Sequence, residues 1–508
     1  MAYDFLTEPL IETHEEGRPA RWTLPGLLAG WASGRDVVLE GIRPHQRAGM
    51  HMFLVQIAVG ALCLSGSGEA LDAGEDEWRE RLLGLAPAPA WHLIAGSKND
   101  PALMQPAVPA EHLKNFKNVA SPDGLSVLVA SKNHCLKQNV ISFGSPWQWL
   151  CALVEMQTLS GYSSPGSYGV IRMNKGSGSR PLVAVYPDMR EGARWKRDVS
   201  RYYGAMTTGL VPTGFSGSAT EGLVATWNRP WDGVEQIPMT DLHPAFVEVA
   251  RRVRLLRSSN GTISAVIGLS KSTRIDAPEE LCGRTGDPWA PLDGDGKILT
   301  VPADGWSLRR LRNLIVNGYT RPLLQEVGSS EYGDLFVHAS VITGGQGKTE
   351  GFHEVTIPVP GRIVVRLSTT LEARPRLGIL STEMADDADK AASALRRALV
   401  TFLRGGVPPT DKVDRKEADV WISRLQATVK DAFFPMLWSA MDAPNRDEWR
   451  ALLRHQAEGL YDEAARALPT RQELFYRAYD KGKGVLIGKL KQDFSDTPPP
   501  KAARKEAA

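Results

Sequence analysis

The chain has 508 residues, of which 42% are hydrophobic, so it is too long for one ordinary core but apolar enough to bury two or more. Its formal net charge of +2 excludes a strong overall field, and any contact with a polyanion must come from local concentrations of Lys and Arg. Its 4 cysteines contain no C-x-x-C pair, which argues against a zinc knuckle or a disulfide framework and favours a reducing cytoplasm. The first residues lack the features of a signal peptide, and no apolar run reaches the roughly 20 residues of a membrane helix. We therefore expect a soluble, cytoplasmic protein without a membrane partner.

The predicted elements of the first part of the chain are mixed. A short strand is predicted from Phe5 to Leu10, a core helix from His51 to Leu62, and a second buried helix from Trp147 to Leu159. The segment from Gly161 to Arg180 holds too many glycines for either regular state and is predicted to be an ordered loop. From about Ser264 to Val359 the pattern indicates short strands and turns.

Helical spacing of apolar residues dominates after Ser381. It predicts four long helices, which indicate a bundle: Ala385 to Arg404, Arg415 to Trp438, Arg446 to Leu468 and Thr470 to Gln492. We predict an α+β protein with a large mixed α/β amino-terminal domain, residues 1–380, and a carboxy-terminal four-helix bundle, residues 381–495. The proline-rich, charged tail, residues 496–508, is predicted to be disordered.

Three arginine-rich runs supply the local positive charge. Each has apolar residues interleaved, so the simplest interpretation of any one of them is an amphipathic helix with a solvated basic face. Their number favours a nucleic-acid partner. They are Arg194 to Arg197, Arg251 to Arg257 and Arg309 to Arg312.

The run from Gly344 to Thr349 has two interpretations. Its Gly-Lys-Thr ending is that of a phosphate-binding P-loop, which would make the protein an ATPase. However, Ile342 stands where the first P-loop glycine belongs, and residues 335–342 and 353–359 on either side alternate as strands do. We therefore predict the tip of a β-hairpin, from which Gln346 would project.

Catalytic and metal-binding patterns are weak. Ser163 and Ser164 lie near glycines, but no G-x-S-x-G motif is present, which argues against a hydrolase. The aspartates from Asp386 to Asp389 would suit magnesium, although acidic residues at the start of a helix are also favoured by its dipole, and we assign them that role. We predict no enzymatic activity, no metal and no cofactor.

Several strings of residues carry a resemblance to a known family. The chain resembles the CasA family, the large subunits of the type I-E CRISPR Cascade surveillance complex, nearly from end to end. The strings that carry it are Leu6-Thr7-Glu8-Pro9, Ser131-Lys132-Asn133-His134, Gln157-Thr158-Leu159-Ser160-Gly161, Gly166 to Asn174, Gly178-Ser179-Arg180-Pro181 and Thr285-Gly286-Asp287-Pro288-Trp289.

The resemblance implies that the protein reads the protospacer-adjacent motif, a short duplex element that flanks the target in double-stranded DNA. Guide-RNA pairing then supplies the long sequence specificity. Family members read the motif largely from the minor groove, whose donor and acceptor pattern is degenerate. The family's glycine loop corresponds to Gly166, Ser167, Tyr168 and Gly169, and its motif-reaching lysine corresponds to Lys271.

Strand separation is assigned by the same resemblance to a glutamine wedge at a hairpin tip. Insertion of a side chain between base pairs costs a few kcal/mol of unstacking, which the growing heteroduplex offsets. The wedge corresponds to Gln346, with Gly345, Gly347 and Lys348 beside it; Lys348 is suited to hold a backbone phosphate.

A loop near the 5′ end of the guide RNA anchors the family's large subunit, and it corresponds to Lys132, Asn133 and His134. The implied partners are target DNA, the guide RNA, the other Cascade subunits and a helicase-nuclease that the complex helps to recruit. Two alternatives stay open at this point. The first is the P-loop ATPase, and the second is a scaffold whose bundle mediates protein contacts only.

Overall fold

The computed structural model describes residues 2–66, 71–97, 99–128, 144–176, 178–209, 219–316, 318–345, 348–409, 416–442, 446–469 and 471–495. The chain divides into two compact units: Met1–Trp306 with Gly318–Pro358, and Ser307–Asn317 with Val359–Ala508. Residue 381, the boundary predicted from periodicity, lies inside a helix of the second unit, Ala373–Leu403.

The first unit combines helices with several small sheets. Its helices are α1 (Leu24–Ala32), α2 (Pro44–Ser65), α3 (Glu75–Leu85), α4 (Pro146–Leu159) and α5 (Glu191–Thr207). Its strands are β1 (Ile11–Glu15), β2 (Arg18–Trp22), β3 (Val37–Leu39), β4 (Lys117–Val119), β5 (Leu182–Tyr186), β6 (Leu223–Ala225), β7 (Ile237–Pro238), β8 (Leu242–Val247), β9 (Arg252–Arg257), β10 (Ile263–Gly268), β11 (Ile275–Asp276), β12 (Leu335–Gly345) and β13 (Lys348–Val359).

The strands of the described residues form small sheets rather than one large one. Three sheets have three strands each, in the orders β2-β1-β3, β4-β10-β9 and β13-β12-β5, while β11 pairs with β7 and β6 pairs with β8 in parallel. The mixture of these sheets with helices confirms the predicted α+β class.

Helix α2 forms the centre of the first unit's core, as predicted for residues 51–62. It packs against α3, α4, α5 and β8, and Gly60 lets it approach β6 closely, since a Cβ there would lie 2.7 Å from a methyl carbon of Val224. By length and composition α2 could cross a membrane, but 78% of its most apolar window is buried inside the protein. It therefore has the character of a core helix.

The predicted opening strand from Phe5 to Leu10 is wrong. The Asp4 carboxylate accepts hydrogen bonds from the Leu6 amide at 2.9 Å and the Thr7 hydroxyl at 2.7 Å, and the Glu8 amide donates to the Asp4 carbonyl at 2.8 Å. These local bonds close a turn instead of a strand, and the first strand begins at Ile11.

The second buried helix and the glycine-rich loop after it are confirmed. Ser145 caps α4 by accepting a hydrogen bond from the Gln148 amide at 3.2 Å, and the Gln148 side chain accepts one from the Ser145 amide at 3.0 Å, which forms a capping box. Beyond Leu159 the described part of residues 161–180 has no regular helix or strand apart from a short 3₁₀ turn, Asn174–Gly176.

The second unit is helical. Its helices are α6 (Leu308–Ile315), α7 (Gly361–Thr369), α8 (Ala373–Leu403), α9 (Lys416–Asp442), α10 (Asp447–Ala467) and α11 (Phe475–Asp493). Helix α8 packs against α9, α10 and α11, which confirms the four predicted helices.

The role assigned to the aspartates near 387 is wrong. Helix α8 begins at Ala373, so Asp387 lies in its middle. Its side chain is fully buried and accepts hydrogen bonds from Arg446 at 2.9 Å and Arg450 at 3.0 Å. Asp387 therefore joins α8 to the start of α10 through ion pairs.

Candidate nucleic-acid interface

The glycine loop is built around a tight turn, Ser164-Pro165-Gly166-Ser167. The Ser167 amide donates to the Ser164 carbonyl at 2.8 Å, and Gly166 has a φ of +86°. Proline at the second position and a positive φ at the third define a type II turn, for which glycine is the residue of choice. Ser163, Ser164 and Pro165 are exposed at its tip.

The other end of the loop is closed against the chain that follows it. The Tyr162 amide donates to the Gly176 carbonyl at 2.6 Å, and the Val170 amide donates to the Ser160 carbonyl at 3.0 Å. A Cβ on Gly169 would overlap the Gly176 carbonyl oxygen and lie 2.7 Å from the Tyr162 nitrogen. Gly169 is thus enclosed at the loop's base, and only glycine permits this approach of two backbones.

The structure brings Lys271 beside this loop, although more than a hundred residues separate them along the chain. The Ser270 amide donates to the Gly166 carbonyl at 2.9 Å, and the Lys271 amide donates to the Gly233 carbonyl at 2.6 Å. Gly166 also packs on Leu269, which is 63% exposed. The Lys271 side chain is exposed. Two predicted elements of one site therefore share one surface.

Two consecutive arginines support this surface from beneath. Arg251 donates hydrogen bonds to the carbonyls of Tyr168 and Gly161, the latter at 2.9 Å. Arg252 donates to the Leu269 carbonyl at 2.9 Å and contacts His112 Nδ1 at 2.7 Å. One guanidinium therefore holds the glycine loop, and the other holds the segment that leads to Lys271.

The second arginine-rich run is not the amphipathic helix that the sequence analysis preferred, and that prediction is wrong. Its residues from Arg252 onward form β9, in which the first four positions are buried. The alternation Arg252-Val253-Arg254-Leu255 has a period of two, which is the signal of a strand. In a strand this period also places Arg252 and Arg254 on the same face.

The run from Gly344 to Thr349 lies in a β-hairpin, as predicted. Strand β12 ends at Gly345 and β13 begins at Lys348, and the two strands pair. Because a strand begins where a P-loop requires a helix, the P-loop interpretation of this run is wrong. Gln346 and Gly347 lie outside the described residues.

The predicted guide-RNA anchoring loop, with Lys132, Asn133 and His134, also lies outside the described residues. The segment that leads into this loop from its amino-terminal side is held by Glu155 of α4. This buried carboxylate accepts hydrogen bonds from the Val127 amide at 3.1 Å and the Ser126 hydroxyl at 3.2 Å. The capping box at Ser145 begins the helix on the other side.

The part of the chain that the structure describes contains no cluster of metal-binding side chains. No group of three or more His, Cys, Asp or Glu side chains lies close enough there to hold an ion. Asp387 is engaged by arginines, as described above.

Several solved structures with the same architecture are CRISPR-associated proteins. CasA of Thermus thermophilus has a TM-score of 0.62 at 14% identity, covering 96% of this chain and 99% of that chain. Cse1 of Acidimicrobium ferrooxidans has a TM-score of 0.63 at 14% identity, covering 97% and 98%, and Cse1 of Thermobifida fusca has 0.59 at 13%, with the same coverage. No protein-family model and no curated protein matches the chain.

These likenesses establish the class of the fold over nearly the whole chain. The protein has the fold of a CRISPR-associated protein, with a mixed α/β unit and a helical unit. More particularly, it has the fold of CasA, also called Cse1, which confirms at the level of the fold the resemblance found in the sequence.

Proposed function

We propose that this chain is the CasA subunit of a type I-E CRISPR surveillance complex in the cytoplasm, and that it is not an enzyme. It recognises a short flanking motif in double-stranded DNA, starts strand separation for guide-RNA pairing, and helps to recruit a helicase-nuclease. The observation that carries the proposal is the bond between Gly166 and Ser270, because it unites two elements that sequence resemblance had assigned separately to one task.

The chemistry of this surface suits a short check of the duplex. The tip from Ser163 to Pro165 is narrow and exposed, and a loop with small side chains brings backbone groups close to sugar and base edges. Lys271 adds a flexible cation beside the loop, which suits a phosphate or a minor-groove acceptor. In this proposal the loop and Lys271 read the motif together.

The hairpin gives the proposal its second part. Strand β12 ends at Gly345 and β13 begins at Lys348; in this proposal Gln346, between them in the sequence, acts as the wedge and Lys348 holds a backbone phosphate. Asn133, with Lys132 and His134, contacts the 5′ end of the guide RNA. These assignments rest on the resemblance and on the hairpin's position in the sequence.

Motif reading is tested with the complex reconstituted from all its subunits and guide RNA. Binding to targets that differ only in the flanking bases is measured for the wild type, Lys271→Ala and the control Lys297→Ala, a lysine in an exposed turn near Asp295. We expect Lys271→Ala alone to weaken binding to the preferred flank, by about 1 kcal/mol or more. Equal affinity of the wild type for every flank would overturn the proposal.

The wedge is tested on the same complex with Gln346→Ala. We expect slower opening of the target duplex, followed by fluorescence of a base analogue next to the motif, while assembly and initial binding are kept. A scaffold that mediates only protein contacts predicts no change for Gln346→Ala or for Asn133→Ala, so unchanged opening and binding in both variants would favour that alternative.

A further inference from the structure

Arg251 bridges the two arms of the glycine loop. Its Nη1 group donates to the Tyr168 carbonyl and its Nη2 group to the Gly161 carbonyl. These carbonyls lie on opposite sides of the exposed tip, residues 163–165. A single planar guanidinium therefore closes the neck of the loop, a geometry for which a lysine ammonium has no equivalent.

The backbone of Arg251 is itself held in place by one buried side chain. Gln157, near the end of α4, accepts a hydrogen bond from the Arg251 amide at 2.7 Å and donates to the Arg251 carbonyl at 3.0 Å. Gln157 also donates to the Met104 carbonyl at 2.9 Å. The backbone of Arg251 is thus fixed to the core, and its guanidinium in turn fixes the loop relative to the core.

The charge of Arg251, unlike that of Arg180, is not paired with a carboxylate among the described residues. Arg180, buried in the same unit, donates to the Asp287 carboxylate at 2.7 Å, whereas none of the ion pairs within the described residues includes Arg251. Burial without an acidic partner lowers the pKa of Arg251 to about 10, so it stays cationic at neutral pH. Among the described residues its positive charge has no counterion, and beside the loop it adds to the field met by an approaching phosphate.

We propose that Arg251 is a positioning residue that sets how sharply the protein discriminates between flanking motifs, although it does not itself contact DNA. This inference rests on the proposed function of the loop. The closed neck keeps the tip narrow enough to reach base edges, and the bond from Ser270 to Gly166 then keeps Lys271 in register with it. Loss of the guanidinium opens the neck and uncouples the two elements.

The test compares Arg251→Gln, Arg251→Lys and the control Arg257→Gln in the reconstituted complex. Arg257 lies at the exposed end of β9, the strand that begins directly after Arg251. For each protein, the affinity for a target with the preferred flank is divided by the affinity for the same target with a scrambled flank. We expect Arg251→Gln to reduce this ratio about tenfold, as two charge-assisted hydrogen bonds are lost. Arg251→Lys keeps the charge and one hydrogen bond, so its affinity ratio should lie between those of Arg251→Gln and the wild type.

Binding to the scrambled flank and assembly by gel filtration separate this role from a general loss of structure. Both should change little in Arg251→Lys, whereas protease cleavage between residues 161 and 169 should become faster in both Arg251 variants. A ratio that equals the wild-type ratio in both variants overturns the role of Arg251 while leaving the proposed function intact. A wild-type ratio of one overturns the proposed function itself.

Discussion

Two arginine-rich stretches of similar composition have opposite relations to solvent. In β9, Arg252 and Arg254 are buried, and their guanidinium groups donate to backbone carbonyls of neighbouring loops. In α6, Arg309 is exposed on a helix whose apolar residues, Leu311 and Leu314, face inward. Arg252 and Arg254 of the first stretch stabilise the protein from inside, whereas Arg309 of the second is exposed to solvent.

In the third stretch, which lies in α5, Arg197 belongs with the buried arginines. Arg197 donates to both oxygens of the Glu331 carboxylate, at 2.7 and 3.0 Å, and to the Leu324 carbonyl at 2.9 Å. An arginine-rich run is therefore evidence for a nucleic-acid surface only after the period of the run and the burial of its members are known. The expected effects of substitution follow the same division, and they decrease from the buried pairs to the exposed helix.

The largest effect is expected for Arg197→Met. This change leaves the Glu331 carboxylate without its bidentate partner, and breaking a buried ion pair in this way costs about 3–5 kcal/mol. The free energy of unfolding, measured in urea by tryptophan fluorescence, should fall by that amount. The control is Arg190→Gln, which breaks an ion pair with Asp188 whose arginine is 57% exposed. Equal losses of unfolding free energy in the two variants would mean that burial does not determine the effect of losing an arginine ion pair.

A pH effect of similar size is expected from Glu248, three residues before Arg251. Burial raises the pKa of this carboxyl to about 7, from an ordinary value of 4.5. The folded protein therefore holds the proton in a range where the unfolded chain releases it. The resulting contribution to stability is complete below pH 4.5 and is lost as the pH rises to about 7.

The variant Glu248→Gln has no such proton to lose. Its free energy of unfolding should therefore decline less than that of the wild type between about pH 4.5 and 7, by up to about 3 kcal/mol at roughly 1.36 kcal/mol per pKa unit. Urea unfolding at several pH values measures the difference. Parallel curves for the two proteins would show that Glu248 ionises normally in the folded state.

An intermediate effect is expected for Arg254→Met. Arg254 donates to the carbonyls of Gln105, Pro106 and Ser97 at distances from 3.3 to 3.4 Å, and methionine retains the apolar part of the side chain but no donor. Leaving buried carbonyls unsatisfied costs about 2 kcal/mol. Arg257→Met, at the exposed end of the strand, should cost much less in the same urea measurement. A loss below that of Arg257→Met would contradict the internal role of Arg254.

The sequence was sufficient for elements whose signal is local. The apolar character of residues 51–62 and 147–159 predicted two buried helices, and both are confirmed as α2 and α4. The strand-like flanks of Gly344 to Thr349 were also sufficient to predict the hairpin. In each case hydrophobic period and turn chemistry agreed with the final fold.

Other features depend on contacts between distant residues and were not predictable in this way. No pattern in the chain pairs Ser270 with Gly166, or Arg251 with Gly161, because these bonds exist only after β9, β10 and the loop have packed together. One of the errors has the same origin. Asp387 was taken for a residue at a helix start because its partners, Arg446 and Arg450, lie about sixty residues further along the chain.

The smallest effect on stability is expected for Arg309→Gln. Arg309 is exposed on α6, and surface substitutions of this kind usually change the free energy of unfolding by less than about 0.5 kcal/mol.

The positive charge of Arg309 is tested by the salt dependence of nucleic-acid binding instead. If α6 contacts a nucleic-acid backbone in the complex, removal of one cation lowers the slope of log affinity against log salt by about one, with no change in preference between flanks. Titrations at several salt concentrations measure this slope, and the same titrations with Arg254→Met provide the comparison, since a buried arginine should leave the slope unchanged. A loss of unfolding free energy in Arg309→Gln as large as that in Arg254→Met would remove the distinction between the solvated helix and the buried strand.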